Sequence, residues 1–349
     1  MGLRYIGSKA RVASDIVDAL GPPTDGQGVF VDAFCGTGSV AAAAVGAGWG
    51  VRLNDSLRSA ALTATAGLIA ADQAPFAKLG GYERAVAQLN SAPGVTGFIT
   101  REYSPLSRET AGVERRYFTL DNARRIDGVR EQVRSWQDAG KLSELEHTLL
   151  LADLIAATNK IANTAGTYGC FLSEWSPTAT RGLRLKARSF VERAVPLQVS
   201  IGDVFEVPYE SQDVAYFDPP YTKRQYAAYY HILETIAAGD EPEVSGVTGL
   251  RPWRHLASDF CYRTRALDAL NRLVAECGAG RVLLSYSNQG HVGRYDLEAV
   301  LEQHGQVQVH QLGAIGRYRP NRAAAAHSSD VNEFLFEVRK PAVEAKAAA

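Results

Sequence analysis

Two short segments of this 349-residue chain carry residue types at spacings that suit chemistry. The first is Asp218-Pro219-Pro220-Tyr221, which follows the β-branched and aromatic run Val214 to Phe217. Consecutive prolines fix two φ angles and remove two N–H donors, so this loop presents acceptors only. The Asp218 carboxylate and the Pro219 carbonyl can then face one donor group, and an exocyclic amine has two hydrogens to give them. Tyr221 adds a ring able to stack on a flat base. Taken alone, the segment is equally good turn chemistry. The second is Phe34-Cys35-Gly36-Thr37-Gly38-Ser39, with two glycines where a strand turns into a helix, which lets a ligand approach the backbone closely. Asp55 follows the next short apolar run, where a carboxylate can accept both hydroxyls of a ribose. Glycine turn and acid together suit an adenosine-containing cofactor. Ala41 can fill the third small position of a dinucleotide fingerprint, so a nicotinamide cofactor stays open on the turn alone, whereas a P-loop is excluded because no Gly-Lys-Ser/Thr follows.

These segments need elements to hold them. The runs Val29–Phe34 and Val51–Leu53 predict buried strands, and Ser39–Gly46 and Leu57–Ala71 predict helices. Strand, turn, helix, strand, helix implies parallel pairing through crossover helices, hence an α/β fold. Strands return at Gln198–Ile201, Val214–Phe217, Arg281–Ser287, Val307–Leu312 and Glu333–Val338, with helices predicted at Gln225–Ala238 and Tyr262–Glu276. The last two strands lack a helical connection, which predicts an antiparallel hairpin at one edge of the sheet. Between them, residues 73–196 show helical stretches (Glu83–Leu89, Asp121–Asp138, Glu144–Ala162) and no sustained strand alternation. The expected organisation is a sheet domain at 1–72 and 197–340, a mainly helical insertion at 73–196, and a frayed tail at 341–349.

Composition narrows the class further. With 46% hydrophobic and 21% charged residues there is ample core-forming material, which excludes a disordered chain. The 37 basic and 38 acidic side chains leave a formal net charge of -1, so a nucleic-acid surface has to be a local patch. Cys35, Cys170, Cys261 and Cys277 form no CxxC pair, which argues against a zinc ribbon or a disulfide framework; no metal site is expected. No apolar run reaches the length of a membrane span, and the N-terminus has no signal-peptide core, so a cytoplasmic protein without membrane contact is expected.

Arg4-Tyr-Ile-Gly-Ser-Lys9, Phe34-Cys-Gly-Thr-Gly-Ser39, Asn54-Asp55 and Asp218-Pro-Pro-Tyr221, in that order, resemble the S-adenosylmethionine-dependent DNA adenine (N6) methyltransferases of the Dam-like α group. The segment from Arg224 to Glu234 and Ser285-Tyr-Ser-Asn288 look like further family segments; Ala33 departs from the Pro often found there. The resemblance implies a Rossmann-like class I methyltransferase sheet with helices on both faces, and target recognition in the insertion. It also implies roles. Tyr5 and Lys9 would meet the methionine end of S-adenosylmethionine. Asp32, Phe34, Gly36 and Gly38 would hold its amino-acid moiety, Asp55 its ribose, and Asp203 with Val204 its adenine. Asp218, Pro219, Pro220 and Tyr221 would receive the flipped target base, with Asp218 also beside the cofactor. Double-stranded DNA becomes the expected partner, and a cognate restriction endonuclease a partner left open.

The reaction implied needs no covalent intermediate, because methylation of an amine does not use the thiolate that a cytosine ring carbon requires. No cysteine here follows a proline. The N4 amine of cytosine remains an alternative target, since the same clamp serves it, and a catalytically silent DNA-binding relative a third reading. For DNA contact the basic residues nearest family motifs are Arg181, Arg184, Lys186 and Arg188, then Lys223 and Arg224, with Tyr226 as a stacking ring. Arg251, Arg254, Arg317, Arg319 and Arg322, with Asn163, Tyr168, Phe171, Trp175, Trp253, Tyr318 and Asn321, form weaker candidates. His231 is readable either as a structural partner or as a DNA neighbour.

Overall fold

The computed structural model describes residues 6–26, 28–313 and 332–341. In chain order the described elements are α1 (Ala13–Leu20), β1 (Phe30–Asp32), α2 (Ser39–Gly46), β2 (Val51–Asp55) and α3 (Arg58–Ala66). A helical stretch follows with α4 (Tyr82–Ser91), α5 (Phe98–Tyr103), α6 (Arg108–Ala111), α7 (Leu120–Asp138) and α8 (Glu144–Ile161). The chain then returns to the sheet through β3 (Leu197–Ile201), β4 (Val214–Phe217), α9 (Tyr226–Tyr229), α10 (His231–Ala238), α11 (Ala266–Glu276), β5 (Arg281–Ser287), α12 (Arg294–Leu301), β6 (Gln306–Gln311) and β7 (Glu333–Arg339).

The seven strands form one sheet in the order β3-β2-β1-β4-β5-β7-β6. Pairing is parallel from β3 through β5, whereas β7 runs antiparallel to both β5 and β6. This is the expected Rossmann-like methyltransferase sheet with its antiparallel edge. Alternation along β4 shows how the two faces are covered. Val214 and Tyr216 join α1 and α2 in one core, while Ala215 and Phe217 join α11 and α12 in the other. Each fully buried large side chain of these faces contributes roughly 1.5–3 kcal/mol. Sequence order reverses between β1 and β4, so a crevice opens at the carboxyl ends of these two neighbours.

The helical stretch has its own cap chemistry. Ser143 and Glu146 form a capping box at the start of α8, with the Ser143 amide donating to Glu146 Oε2 at 2.8 Å. Its core is shared: Leu57 and Ala60 beside α3, and Ile232, Leu233 and Ile236 of α10, pack in one cluster with Ile126, Val129, Leu149, Leu154 and Ile155. The α3 helix has no cap from its own first residues. Glu234 of α10 supplies it, accepting from the Arg58 and Ser59 amides at 2.9 Å each. The helix α1, the short α5 and the helix α12 are absent from the sequence expectation, and α3 ends at Ala66 where the expectation continued to Ala71.

Candidate active site

The crevice is an open cleft of about 700 Å3, mouth included, lined by Lys9, Asp32, Phe34, Gly36, Asp55 and Asp218, with Pro220 and Tyr226 on its wall. Its floor is the glycine turn. Gly36 and Gly38 have φ of 52° and 76°, in the left-handed region that β-carbons disfavour. At Gly38 a side chain would also lie 2.8 Å from Ala64 Cα, so the turn packs directly on α3. Asp55 is fixed from both sides, Oδ2 accepting from the Gly36 amide and Oδ1 from the Leu57 amide, each at 2.9 Å. Asn54 beside it ties strand ends together, donating to the Ala33 carbonyl at 3.2 Å.

Four acids and one lysine set the electrostatics. Asp32 is 1% exposed, and its Oδ1 has no hydrogen-bond partner among the described residues. Burial, then the charges of Asp218 and Asp55, push its carboxyl well above the usual range, against the pull of the Ala41 and Phe34 amides. Burial raises Asp55 to about 6 despite its two amide donors. Asp218 also rises to about 6 through burial, with Lys9 opposing and Glu333 adding to the rise. Lys9 is 4% exposed and its Nζ lies 2.7 Å from Asp218 Oδ1 and 3.0 Å from Glu333 Oε1. Burial acts to lower its pKa, but the two carboxylates outweigh burial and raise it, so the ammonium stays charged. It also stands 5.4 Å from the Tyr221 ring centroid.

The N-terminal segment reaches the cleft because α9 clasps it. Tyr226 Oη donates to the Ile6 carbonyl at 3.1 Å, and Tyr230 Oη accepts from the Ile6 amide at 2.7 Å. Gly7 has φ of 79°, and a β-carbon there would meet Tyr226 Oη at 2.8 Å. Tyr221 is half-buried with its ring centroid 5.8 Å from that of Tyr286, and its carbonyl accepts from the His291 amide at 3.0 Å. Pro219 is buried at the same corner.

The fold therefore brings together Lys9, Asp32, Phe34, Gly36, Gly38, Asp55, Asp218, Pro219, Pro220 and Tyr221, which lie far apart in the chain. Tyr5 falls outside the described residues. Asp203 and Val204 are not part of the cleft wall: Asp203 is exposed and accepts from the Phe205 amide at 3.1 Å, and Val204 is buried in the core beneath α11. Arg181, Arg184 and Lys186 are exposed along a segment whose backbone is pinned, the Leu183 amide to Asn122 Oδ1 at 2.8 Å and the Leu185 amide to Asn90 Oδ1 at 2.9 Å. Lys223 and Arg224 are exposed directly after the acceptor corner, while the Tyr226 ring turns into the cleft wall.

Several weaker expectations are corrected. Asn163 is fully buried, holding the Leu172 carbonyl and the Ser176 amide, so it cannot reach a groove. Tyr168 is fully buried with its hydroxyl on Asn159. Arg188 lies 2.8 Å from Asp153, and Arg251 2.8 Å from Asp240; both are internal ion pairs. His231 is a core residue, its Nε2 3.0 Å from the Tyr168 carbonyl, and burial lowers its pKa to about 4. Arg317, Tyr318, Arg319, Asn321 and Arg322 lie outside the described residues. The residue that sequence reading missed is Glu333, buried behind the cleft on Lys9, where the signal was a carboxylate opening the otherwise apolar run Phe334-Leu-Phe336.

The doubly wound sheet thus places an acid-lined cleft at its switch point, beside the Asp218-Pro219-Pro220-Tyr221 corner. Residues 5–277 match the model of the D12 class N6 adenine-specific DNA methyltransferase family, and the chain belongs to that family. It is 31% identical over 347 residues to the type II methyltransferase M.FokI of Planomicrobium okeanokoites, covering 97% of this chain and 53% of that protein. The modification methylase StsI of Streptococcus sanguinis is 30% identical, with 97% and 52% covered. The type II methyltransferase M.CviAII of Paramecium bursaria Chlorella virus 1 is 30% identical, with 96% and 97% covered. The chain thus spans about half the length of M.FokI and StsI and nearly all of M.CviAII. Among the described residues no helix is long and apolar enough to cross a membrane.

Proposed function

We propose that this chain transfers a methyl group from S-adenosylmethionine to the N6 amine of an adenine rotated out of double-stranded DNA at a defined sequence. The observation that carries the reading is the meeting of Asp218 with Asp32 and Asp55 in one cleft. The cofactor fits the residues present. Asp32 Oδ1, buried and without a partner among the described residues, suits an α-ammonium. The turn at Gly36 and Gly38 admits a close backbone approach, and Asp55 is pre-oriented for ribose hydroxyls. Lys9 with Tyr5 would border the methionine end; Asp203 and Val204, off the cleft wall, are not assigned to the adenine. When bound, the cofactor supplies a methyl group already activated by its sulfonium charge.

The chain's own task is alignment. Asp218 and the Pro219 carbonyl would accept the two N–H hydrogens of the target amine, drawing its lone pair out of conjugation. Pro220 keeps that corner rigid. Rotating the base out costs a few kcal/mol, and stacking on Tyr221 returns about 1–3 kcal/mol of it. The N6 wording of the family description favours adenine over the cytosine amine. Residues 73–196 would form the target-recognition region, with Arg181, Arg184 and Lys186 on phosphates or base edges, and Lys223, Arg224 and Tyr226 beside the entering base. The names of M.FokI and StsI, a type II methyltransferase and a modification methylase, favour a restriction-modification role with a cognate endonuclease. The test is expression in a methylation-free host followed by single-molecule sequencing: N6-methyladenine at one recurrent motif is expected, and its absence rejects the reading.

A further inference from the structure

Antiparallel β7 places its first residue level with the carboxyl ends of the parallel strands, Glu333 pairing with Ser287 at the end of β5. Glu333 is 1% exposed, and its Oε1 lies 3.0 Å from Lys9 Nζ and accepts from Ser285 Oγ at 3.2 Å. Lys9 in turn lies 2.7 Å from Asp218. One buried ammonium is therefore shared by the buried Glu333 carboxylate and the half-buried Asp218 carboxylate, and with both ionised the trio carries a net negative charge. A lone Lys9–Asp218 pair would be neutral, and its carboxylate a poorer acceptor.

We propose that Glu333 is a positioning residue for methyl transfer: by taking a share of the Lys9 ammonium it leaves negative charge on Asp218 for the target amine. The inference rests on the proposed N6-methylation. In that reaction the amine nitrogen forms the new N–C bond with its lone pair and becomes cationic, while sulfur keeps the pair of the broken S–C bond. One N–H proton then passes to Asp218, which returns it to water as product leaves. Excess negative charge at Asp218 favours both the developing cation and the proton transfer. Glu333 touches neither partner of the reaction and acts through Lys9. The other groups facing this trio are Asp32 from β1, Tyr216 from β4, Tyr221 from the following loop and Tyr226 from α9.

The full-length protein with Glu333→Gln is compared with wild type on duplex DNA containing the target, across pH. A kcat loss of roughly tenfold, equivalent to one pKa step in the acceptor, is expected with KM unchanged. The acid limb of the rate should move to lower pH, because Glu333 no longer raises Asp218. On a Lys9→Met background the same change should cost kcat much less, since the path through Lys9 is gone and only the direct charge of Glu333 on Asp218 remains. Cofactor affinity by calorimetry and base extrusion by 2-aminopurine fluorescence should stay at wild-type values. Ser285→Ala should move kcat and the acid limb the same way by less, and it carries the test where Glu333→Gln does not fold. Wild-type kcat and acid limb in both variants, or a loss confined to cofactor binding, overturn the inference while leaving N6-methylation intact. A wild-type protein that methylates nothing overturns the functional reading and this inference with it.

Discussion

Buried carboxylates occur in two regions of the molecule, and their surroundings differ. In the helical region Asp127 accepts from the Gly97, Ile99 and Thr100 amides and from Thr100 Oγ1. Asp153 is held by the Tyr82 hydroxyl at 2.5 Å and by Arg188, and Glu146 by the Ser143 and Phe76 amides. Every one of these acids is matched by donors from its own chain. In the cleft, Asp32 keeps an oxygen without a partner among the described residues, and Asp55 and Asp218 are pushed up to about 6. Asp127, Asp153 and Glu146 hold the fold together, whereas in the cleft Asp32 keeps an acceptor oxygen for a donor from outside the described residues.

The largest effect that would sharpen this contrast is at Asp218. Its replacement by Ala should lower methyl transfer about a thousandfold with cofactor affinity retained, read by tritiated-methyl incorporation beside calorimetry; near-wild-type turnover breaks it. Asp127→Ala should do the opposite, costing roughly 3 kcal/mol or more of stability as four donors lose their acceptor, seen as a lower midpoint in urea. Asp32→Asn should weaken cofactor binding about 30-fold, the loss of one charge-assisted hydrogen bond of about 2 kcal/mol, while the unliganded protein keeps its stability. Since Asp218 must be ionised to accept and its pKa is raised to about 6, kcat should be half-maximal near that pH, rise to its plateau above it and fall away below it. A rate flat from pH 5 to 8 removes Asp218 from its assigned part. The smallest change is expected at Lys186→Ala, which should reduce the salt slope of DNA affinity by about one.

The cleft was more legible from sequence than its electrostatics. Asp-Pro-Pro-Tyr and the glycine turn are local: proline geometry and positive φ leave a mark within six residues, so both segments were read at the ends of the strands that they follow. The strands β4 and β5 were read to the residue because apolar runs bounded by turns are a local signal as well. Glu333 was read only as the start of a strand, because its meaning depends on Lys9 at the other end of the chain and on the antiparallel reversal of β7. Tyr168 and Asn163 were misread for the complementary reason. A polar or aromatic residue in a loop looks exposed until long-range packing of that loop against α9, with the Tyr168 amide on the Tyr229 carbonyl at 2.8 Å, closes over it. Helices α1 and α12 are eight residues each and follow no local signal like the glycine turn that announced the equally short α2.

The mixed cluster joining α3 and α10 to the helices between residues 82 and 161 has a practical consequence for exchanging the stretch proposed to recognise the target. A cassette cut at 73 and 196 and grafted from a relative would arrive without the surface that Leu57, Ala60, Ile232 and Ile236 complement, and would leave a mismatched seam. Chimeras that exchange the matching faces of α3 and α10 along with the cassette should therefore express and remain folded, whereas transplants cut at the chain boundaries alone should not.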